Sequence, residues 1–285
     1  MRIKQGYFSD SLRKIGKRLL EKYRLKEYGN PPTSHQRRKP CLFFGCYTRR
    51  DVKRVCAHEA FRILIWTGGD LARIKSKSHE KIFHHPEIVH IALSGFTAKD
   101  LRLVGLPYVS LPVCVSNFDQ FQPKPLGPQV YVYGVKSSPE IYGGALVERV
   151  QQALPDIPFL IGDYDADYEP FYPPEKMHKV YEKCFMGLRL TTHDGLPNTV
   201  AELGLMGRKC VWNGSLPNAI PWWSVDDIVS TIRQESVTIG ENRVALAGEV
   251  RAHLDIGKGW LSTEYYQEGG RGWNALKKSI ARIHK

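Results

Sequence analysis

Long apolar runs are missing from this chain. No stretch approaches the roughly 18 to 20 consecutive apolar residues of a membrane-spanning helix, and the opening Met1-Arg2-Ile3-Lys4-Gln5 has no apolar core of the kind a secretory signal carries. A cytoplasmic protein is expected. Cysteine is sparse and unclustered. Cys41, Cys46, Cys56, Cys114, Cys184 and Cys210 lie mostly inside apolar runs, which predicts reduced core thiols rather than a disulfide framework. Cys41, Cys46, Cys56 and His58 lack the tight Cys-x2-Cys knuckle of a zinc site, so no structural zinc is expected. Acidic charge is in the minority: 41 Lys and Arg face 29 Asp and Glu, a formal net charge of +12 over 285 residues. With 42% hydrophobic residues, the chain is long enough for two modest domains with their own cores.

The positive charge is concentrated near the start. Arg13-Lys14, Lys17-Arg18, Lys22, Arg24, Lys26, Arg37-Arg38-Lys39 and Arg49-Arg50 crowd a short stretch. Leu12, Ile15, Leu19, Leu20 and Tyr23 recur there at three- and four-residue spacing, which predicts a basic amphipathic helix over 8–28. Such a helix can lie on an anionic membrane face, track a phosphate backbone, or dock its apolar stripe on the protein's own body. Gly29-Asn30-Pro31-Pro32 ends it, and 33–40 reads as a linker.

From residue 41 the pattern alternates. Strands are expected over 42–46, 63–66, 88–93 and 108–113, and helices over 51–60, 70–80 and 97–104, which argues for a parallel sheet covered by helices. Ligands of such sheets bind at the carboxyl ends of the strands. That edge carries Gly45, Tyr47, Thr67, Gly68, Gly69 and Ser94. The glycines there let a ligand or another backbone approach closely, as they also serve any tight turn. His79, His84 and His85 fall in a loop and are assigned no role. A stiff proline-rich stretch, Gln122 to Pro128, then marks a domain boundary. Beyond it a strand over 130–136 enters a loop, followed by a helix over 139–153, a strand over 158–161 and a helix over 174–184. The fold class is therefore α/β with two Rossmann-like domains. The expected parts are a basic N-terminal helix and linker (1–40), a small first domain (41–122), a second domain (123–240) and closing helices (241–285).

The densest chemistry lies in His193-Asp194-Gly195-Leu196-Pro197-Asn198-Thr199-Val200-Ala201-Glu202. Met186 to Thr191 reads as a buried strand running into a loop. Gly195 can take a positive φ, and Pro197 suits the first turn of a helix. Val200, Leu203, Leu205 and Met206 form that helix's apolar face, and Gly207 ends it. The N–H groups near Asn198 and Thr199 make an anion seat reinforced by the helix dipole. Asp194 and Glu202 flank that seat. Carboxylates repel a bare phosphate, but they suit a ligand with hydroxyls on both sides of its phosphates, as in a nucleotide-sugar.

This segment resembles the acidic-x7-acidic signature of retaining glycosyltransferases of the two-Rossmann-domain (GT-B) type, usually Glu-Gly-x-Pro before a helix carrying Glu-Ala. Here the first acid is Asp194, and Leu203 follows Glu202. The resemblance covers roughly residues 41–235 and is most specific over 130–215. It implies that Glu202 holds the donor ribose and that Asp194 orients the sugar, with His193 as a helper near the transferring carbon. Leu196 sits in the same donor turn. It also implies a basic residue after the first strand of the second domain, where Gly134 is followed by Lys136. The family's second basic residue is missing, and Arg189, Arg49 or Arg50 is the substitute available. Retention in that family proceeds on one face without a protein nucleophile. The implied donor is a nucleotide diphosphate-sugar, transferred without a metal or other cofactor.

A different motif, Asp163-Tyr164-Asp165-Ala166-Asp167, resembles the Asp-x-Asp metal site of the other glycosyltransferase architecture, which would demand Mn2+ or Mg2+. As a calcium loop it fails, having Tyr168 and Pro174 where Gly and Glu are needed. The acceptor is open between a glycan or lipid-linked sugar at a membrane face and modified DNA. A non-catalytic nucleotide-sugar or nucleic-acid binding module on the same fold is the further alternative. Trp222-Trp223 is weighed as an exposed sugar or base platform against an ordinary split between core and rim. Nothing in the sequence specifies an oligomeric state.

Overall fold

The computed structural model describes residues 1–71, 82, 85, 87–162 and 172–283. It divides into two units. The first comprises Met1–Val115, His193–Leu196 and Ile256–Lys285; the second comprises Ser116–Thr192 and Pro197–Asp255. Each is an α/β unit built on an entirely parallel sheet.

In the first unit β1 (Gln5–Phe8), α1 (Arg13–Tyr23), β2 (Lys26–Glu27), α2 (Ser34–Arg37), β3 (Cys41–Phe44), α3 (Arg49–Cys56), β4 (Arg62–Trp66), β5 (Ile88–Ala92), α4 (Gly95–Leu103) and β6 (Tyr108–Ser110) follow in order. The sheet order is β2-β1-β3-β4-β5-β6. β3 and β4 are buried on both faces, which is why they read as unbroken apolar runs. Alternate residues feed two cores: Phe8, Leu42, Phe44, Ile63 and Ile65 on one face, Tyr7, Phe43, Leu64 and Trp66 on the other.

The helix expected over 8–28 is shorter. Gln5–Phe8 pairs with Cys41–Phe44 as a strand, and Arg24 in the left-handed region ends α1. A four-residue strand and an exposed two-residue edge strand carry too little periodicity to be read from sequence. The apolar stripe of α1 is committed to the unit's own core. Leu19, Leu20 and Tyr23 are buried there with Trp260, the Tyr23 and Trp260 rings meeting edge to face at 5.3 Å. Gly16 allows that approach, since a Cβ would fall 2.3 Å from the Phe8 ring.

Two buried histidines give this unit a pH dependence. Trp66 Nε1 donates to His90 Nδ1 at 3.1 Å, and His58 Nδ1 lies 3.1 Å from the Tyr28 hydroxyl. Burial lowers both imidazoles to about 4, with the Arg62 charge contributing at His58. Unfolded imidazoles protonate near 6.5 and the folded ones do not, so stability falls as pH drops from about 6.5 toward 4. Buried Asp70 works the other way: burial raises it to about 6, so the folded state takes up its proton first. The opposing contributions leave a net loss of about 3 kcal/mol between pH 7 and 4.5. Urea unfolding at the two pH values measures this, and a flat profile would contradict it.

The second unit contains β7 (Gln129–Tyr133), α5 (Pro139–Tyr142), α6 (Gly144–Ala153), β8 (Phe159–Gly162), α7 (Met177–Tyr181), β9 (Cys184–Leu188), α8 (Asn198–Leu205), β10 (Lys209–Val211), β11 (Ala219–Ile220), α9 (Val225–Ser236) and α10 (Val244–Leu254). Its sheet order is β11-β10-β9-β7-β8. The helix expected over 139–153 is two helices, broken where Gly143 takes a φ of +73°. The helix expected over 174–184 is a turn of 3-10 helix followed by α7, because β9 already begins at Cys184. The proline-rich stretch expected to separate the halves lies inside this unit. It is held by Arg208, whose guanidinium donates to the carbonyls of Lys124 and Pro125.

The C-terminal residues belong to the first unit. Two 3-10 turns, Gly259–Leu261 and Thr263–Tyr266, precede α11 (Arg271–Ile283). Leu261 O accepts from Ile3 N at 2.8 Å, and the Ser279 hydroxyl accepts from Tyr108 N at 3.0 Å, which seats α11 at the start of β6.

Candidate functional site

Both sheets share one topology: the first strand of each lies between the second and the third. Chain direction across the sheet reverses beside that first strand, and the loops leaving its carboxyl end and that of its third-strand neighbour diverge, opening a crevice. In the second unit the crossing lies between β7 and β9, in the first between β1 and β3.

At the β7/β9 crossing, β7 runs into Gly134, Val135 and Lys136. Gly134 has a φ of +72°, and a Cβ there would fall 2.7 Å from the Tyr142 ring. That ring faces the guanidinium of Arg189, the residue after β9. Arg189 is 9% exposed, its Cζ 4.5 Å from the Tyr142 centroid and 4.9 Å from that of Tyr133. Two aromatic faces stabilise the desolvated cation, and a guanidinium stays charged in such surroundings. Lys136 is exposed.

α8 starts at Asn198 with Pro197 as its N-cap, and no side chain caps it. Its close seat on β9 depends on Gly187, where a Cβ would fall 2.4 Å from Leu203 Cδ1. Thr199 is buried, and so is Glu202, at 4% exposure. Glu202 accepts from Ser116 Oγ at 2.6 Å on one oxygen and from the Tyr181 hydroxyl at 3.2 Å on the other. Burial, followed by the Glu202 charge, holds the Tyr181 phenol well above its usual range, so it remains a donor.

The first unit's carboxyl edge gathers another set. Gly45 and Gly68 have φ values of +77° and +103°. The Tyr47 hydroxyl lies 2.8 Å from Thr67 Oγ1. Asp70, which follows Gly69, accepts from Cys46 N at 3.0 Å and Thr67 N at 2.9 Å, clamping the loops after β3 and β4 together. His193–Leu196 groups with this unit. Asp194 O accepts from Ser94 Oγ at 2.9 Å, Asp194 Oδ1 accepts from Gly195 N at 2.9 Å, and His193 Nε2 lies 2.5 Å from Asp100 Oδ2. A Cβ on Gly195 would fall 2.5 Å from Thr67 O.

The predicted residues thus form two groups. Gly134, Lys136, Arg189, Asn198, Thr199 and Glu202 belong to the second unit, whereas His193, Asp194, Gly195 and Leu196 group with Gly45, Tyr47, Thr67, Gly68 and Gly69 in the first. Ser116, Tyr133, Tyr142, Tyr181 and Asp70 carry no sequence signal of their own; an aromatic pair around a strand-end arginine is visible only in three dimensions. His79, His84, Asp163, Asp165 and Asp167 lie outside the described residues. Among the described residues no group of three or more His, Cys, Asp or Glu could hold a metal ion, and no helix is long and apolar enough to cross a membrane. Burial raises the thiols of Cys41, Cys46, Cys184 and Cys210. Trp223 is 79% exposed, whereas Trp222 is partly buried against the second unit's core.

No protein-family model and no curated protein matches the chain significantly by sequence. Its fold is similar to solved structures of GT-B type. One is a point variant of TarM from S. aureus, solved in complex with Fondaparinux, alpha-GlcNAc-glycerol and UDP. Its TM-score is 0.54 at 13% identity, over 85% of this chain and 55% of TarM. Another is sucrose-phosphate synthase from Thermosynechococcus elongatus, with a TM-score of 0.56 at 9% identity, over 86% of this chain and 72% of the synthase. The chain spans about 55% of the length of TarM.

Proposed function

We propose that this chain is a glycosyltransferase that moves a sugar from a nucleotide diphosphate-sugar to an acceptor, with retention and without a metal. The observation that carries the reading is the second unit's crossing point. An arginine held against two aromatic rings, a glycine turn with Lys136, and the uncapped start of α8 lie on one sheet edge, with Glu202 one turn into that helix. Cations and helix N–H groups stabilise the charge that grows on a departing diphosphate. Glu202 holds the ribose, Asp194 orients the sugar and His193 assists at the transferring carbon. In the step itself the bond from C1 to the diphosphate oxygen breaks, and the acceptor oxygen bonds C1 on the same face. The acceptor's proton passes to the departing phosphate. The GT-B type fold and the UDP bound to TarM are consistent with this reading.

The test is a panel of nucleotide-sugars. The true donor at about one hundred times its Kd stabilises the native state by about 2.7 kcal/mol, which raises Tm by several degrees, and it is hydrolysed or transferred on turnover. Activity is expected to survive a chelator. Loss of activity that Mn2+ restores would bring the Asp163-Asp165-Asp167 cluster back into the chemistry. Tight donor binding without turnover against any acceptor would instead favour a non-catalytic nucleotide-sugar binding module.

A further inference from the structure

We propose that the carboxyl edge of the first unit's sheet, at the β1/β3 crossing, binds the phosphate backbone of duplex nucleic acid. The two units differ sharply in charge: the first carries 29 Lys and Arg against 12 Asp and Glu, the second 12 against 17. The net positive charge of the chain is therefore a property of the first unit alone.

Within that unit a pattern repeats. Phe8 and Phe44 are register partners in β1 and β3. Five residues beyond each, a helix opens with the same spacing of basic residues, two pairs separated by two positions: Arg13-Lys14-Ile15-Gly16-Lys17-Arg18 in α1 and Arg49-Arg50-Asp51-Val52-Lys53-Arg54 in α3. The two helices pack on opposite faces of the sheet, α1 through Leu19 and Leu20, α3 through Val52 and Val55. Arg13, Lys14, Lys17, Arg49, Arg50 and Lys53 are all exposed. One edge of the sheet is thus flanked on both faces by matching basic turns.

Cations in the first turns of a helix oppose its dipole and cost stability. Asp10 pairs with Arg13 at 2.8 Å, while Asp51, in the first turn of α3, is buried and accepts from Tyr7, from Ser9 at 2.9 Å and from the Thr48 N–H at 2.8 Å. Asn30 Oδ1, a neutral acceptor, takes Arg50 at 2.7 Å and also Arg54. A row of cations spaced along two helices suits a polymer with phosphates at regular intervals, and arginine favours phosphate. A lipid surface fits less well, because the apolar stripe of α1 is buried in the unit's own core and has no side chains left to insert.

The experiment measures binding of a mixed-sequence DNA duplex to the full chain, without nucleotide-sugar, between 50 and 200 mM salt. Six phosphate contacts predict a log-log slope near −5.4 and a loss of affinity of roughly a thousandfold over that range. Lys17→Glu, Arg49→Glu and Lys53→Glu together reduce the slope by about 2.7. Lys277→Glu, Lys278→Glu and Arg282→Glu on α11 make the same change in net charge and leave the slope unchanged. Equal losses from the two triples, no duplex binding at 50 mM salt, or capture by phosphatidylserine vesicles in place of duplex would each overturn the proposal. The inference rests on charge placement and not on sugar transfer. Donor hydrolysis measured on the unsubstituted chain and on the α11 triple therefore reports separately on the catalytic reading.

Discussion

Replacing Arg208 by Met is expected to destabilise the protein by about 3 to 5 kcal/mol, since it strands several buried carbonyls at about 1 to 3 kcal/mol each, a large share of the roughly 5 to 15 kcal/mol that holds a typical domain folded. Arg208 is fully buried. Its Nε donates to Tyr181 O at 3.2 Å and Cys184 O at 3.3 Å, Nη1 to Lys124 O at 2.8 Å and to Met206 O, and Nη2 to Pro125 O at 2.7 Å. All its acceptors are backbone carbonyls, drawn from three segments: the proline-rich entry to β7, the end of α7 with the start of β9, and the end of α8. Burial lowers the guanidinium to about 10, so it is still protonated at neutral pH and its bonds remain charge-assisted. Methionine fills similar space and donates to none of these carbonyls, so those without a second donor go unsatisfied; Cys184 O keeps the Gly127 N–H at 3.2 Å. Lysine keeps a charge but has no fork to reach three segments, so Arg208→Lys should fall between. Urea unfolding of the three proteins checks the order. A loss below 1 kcal/mol in Arg208→Met would mean that water replaces the guanidinium at no net cost.

That arginine also marks where sequence reading reaches its limit. β3, β4, β7 and β9 were legible because a strand buried on both faces is a continuous apolar run closed by a turn residue, and the helix after Gly195 was legible from its glycine, proline and apolar spacing. β1, β2 and β11 were not, being two to four residues long and defined by their partners. Arg208 reads as a surface charge beside Lys209, since its acceptors are carbonyls, which have no letter in a sequence. The proline-rich stretch reads as a free connector for the same reason. In the site, the strand-turn-helix that carries Asp194 and Glu202 is locally continuous, yet His193–Leu196 groups with the first unit's loops and Glu202 with the second unit's core. Contiguity in a motif fixes spacing along the chain and says nothing of which body each half joins. Arg189 was visible as a basic residue at a strand end; the rings of Tyr133 and Tyr142 that hold it came from elsewhere in the chain.

Glu202→Ala is expected to lower sugar transfer several hundred-fold, the equivalent of losing two charge-assisted hydrogen bonds of about 1.5 to 3 kcal/mol each, offset in part by water. The carboxylate has roughly four lone-pair sites. Ser116 Oγ at 2.6 Å and the Tyr181 hydroxyl at 3.2 Å engage one carboxylate oxygen each. Those two donors fix the carboxyl plane and supply the rigidity that a hydroxyl-reading site needs. Alanine also strands both donors, which alone costs about 1 to 3 kcal/mol of stability, so a drop in activity does not by itself separate a binding role from a structural one. A donor lacking the ribose hydroxyls does. On the proposed function the intact protein should disfavour a 2′,3′-dideoxy nucleotide-sugar by a similar several hundred-fold, because the site's acceptors then go unpaired. Glu202→Ala, assayed below its melting transition, should treat the two donors nearly alike, within about threefold, and Glu202→Gln should restore part of the discrimination along with the Ser116 and Tyr181 contacts. If Glu202→Ala lost stability yet discriminated as strongly as the intact protein, Glu202 would be a packing residue that ties Ser116 and Tyr181 to α8, and the ribose would have to be read elsewhere on the β7/β9 edge.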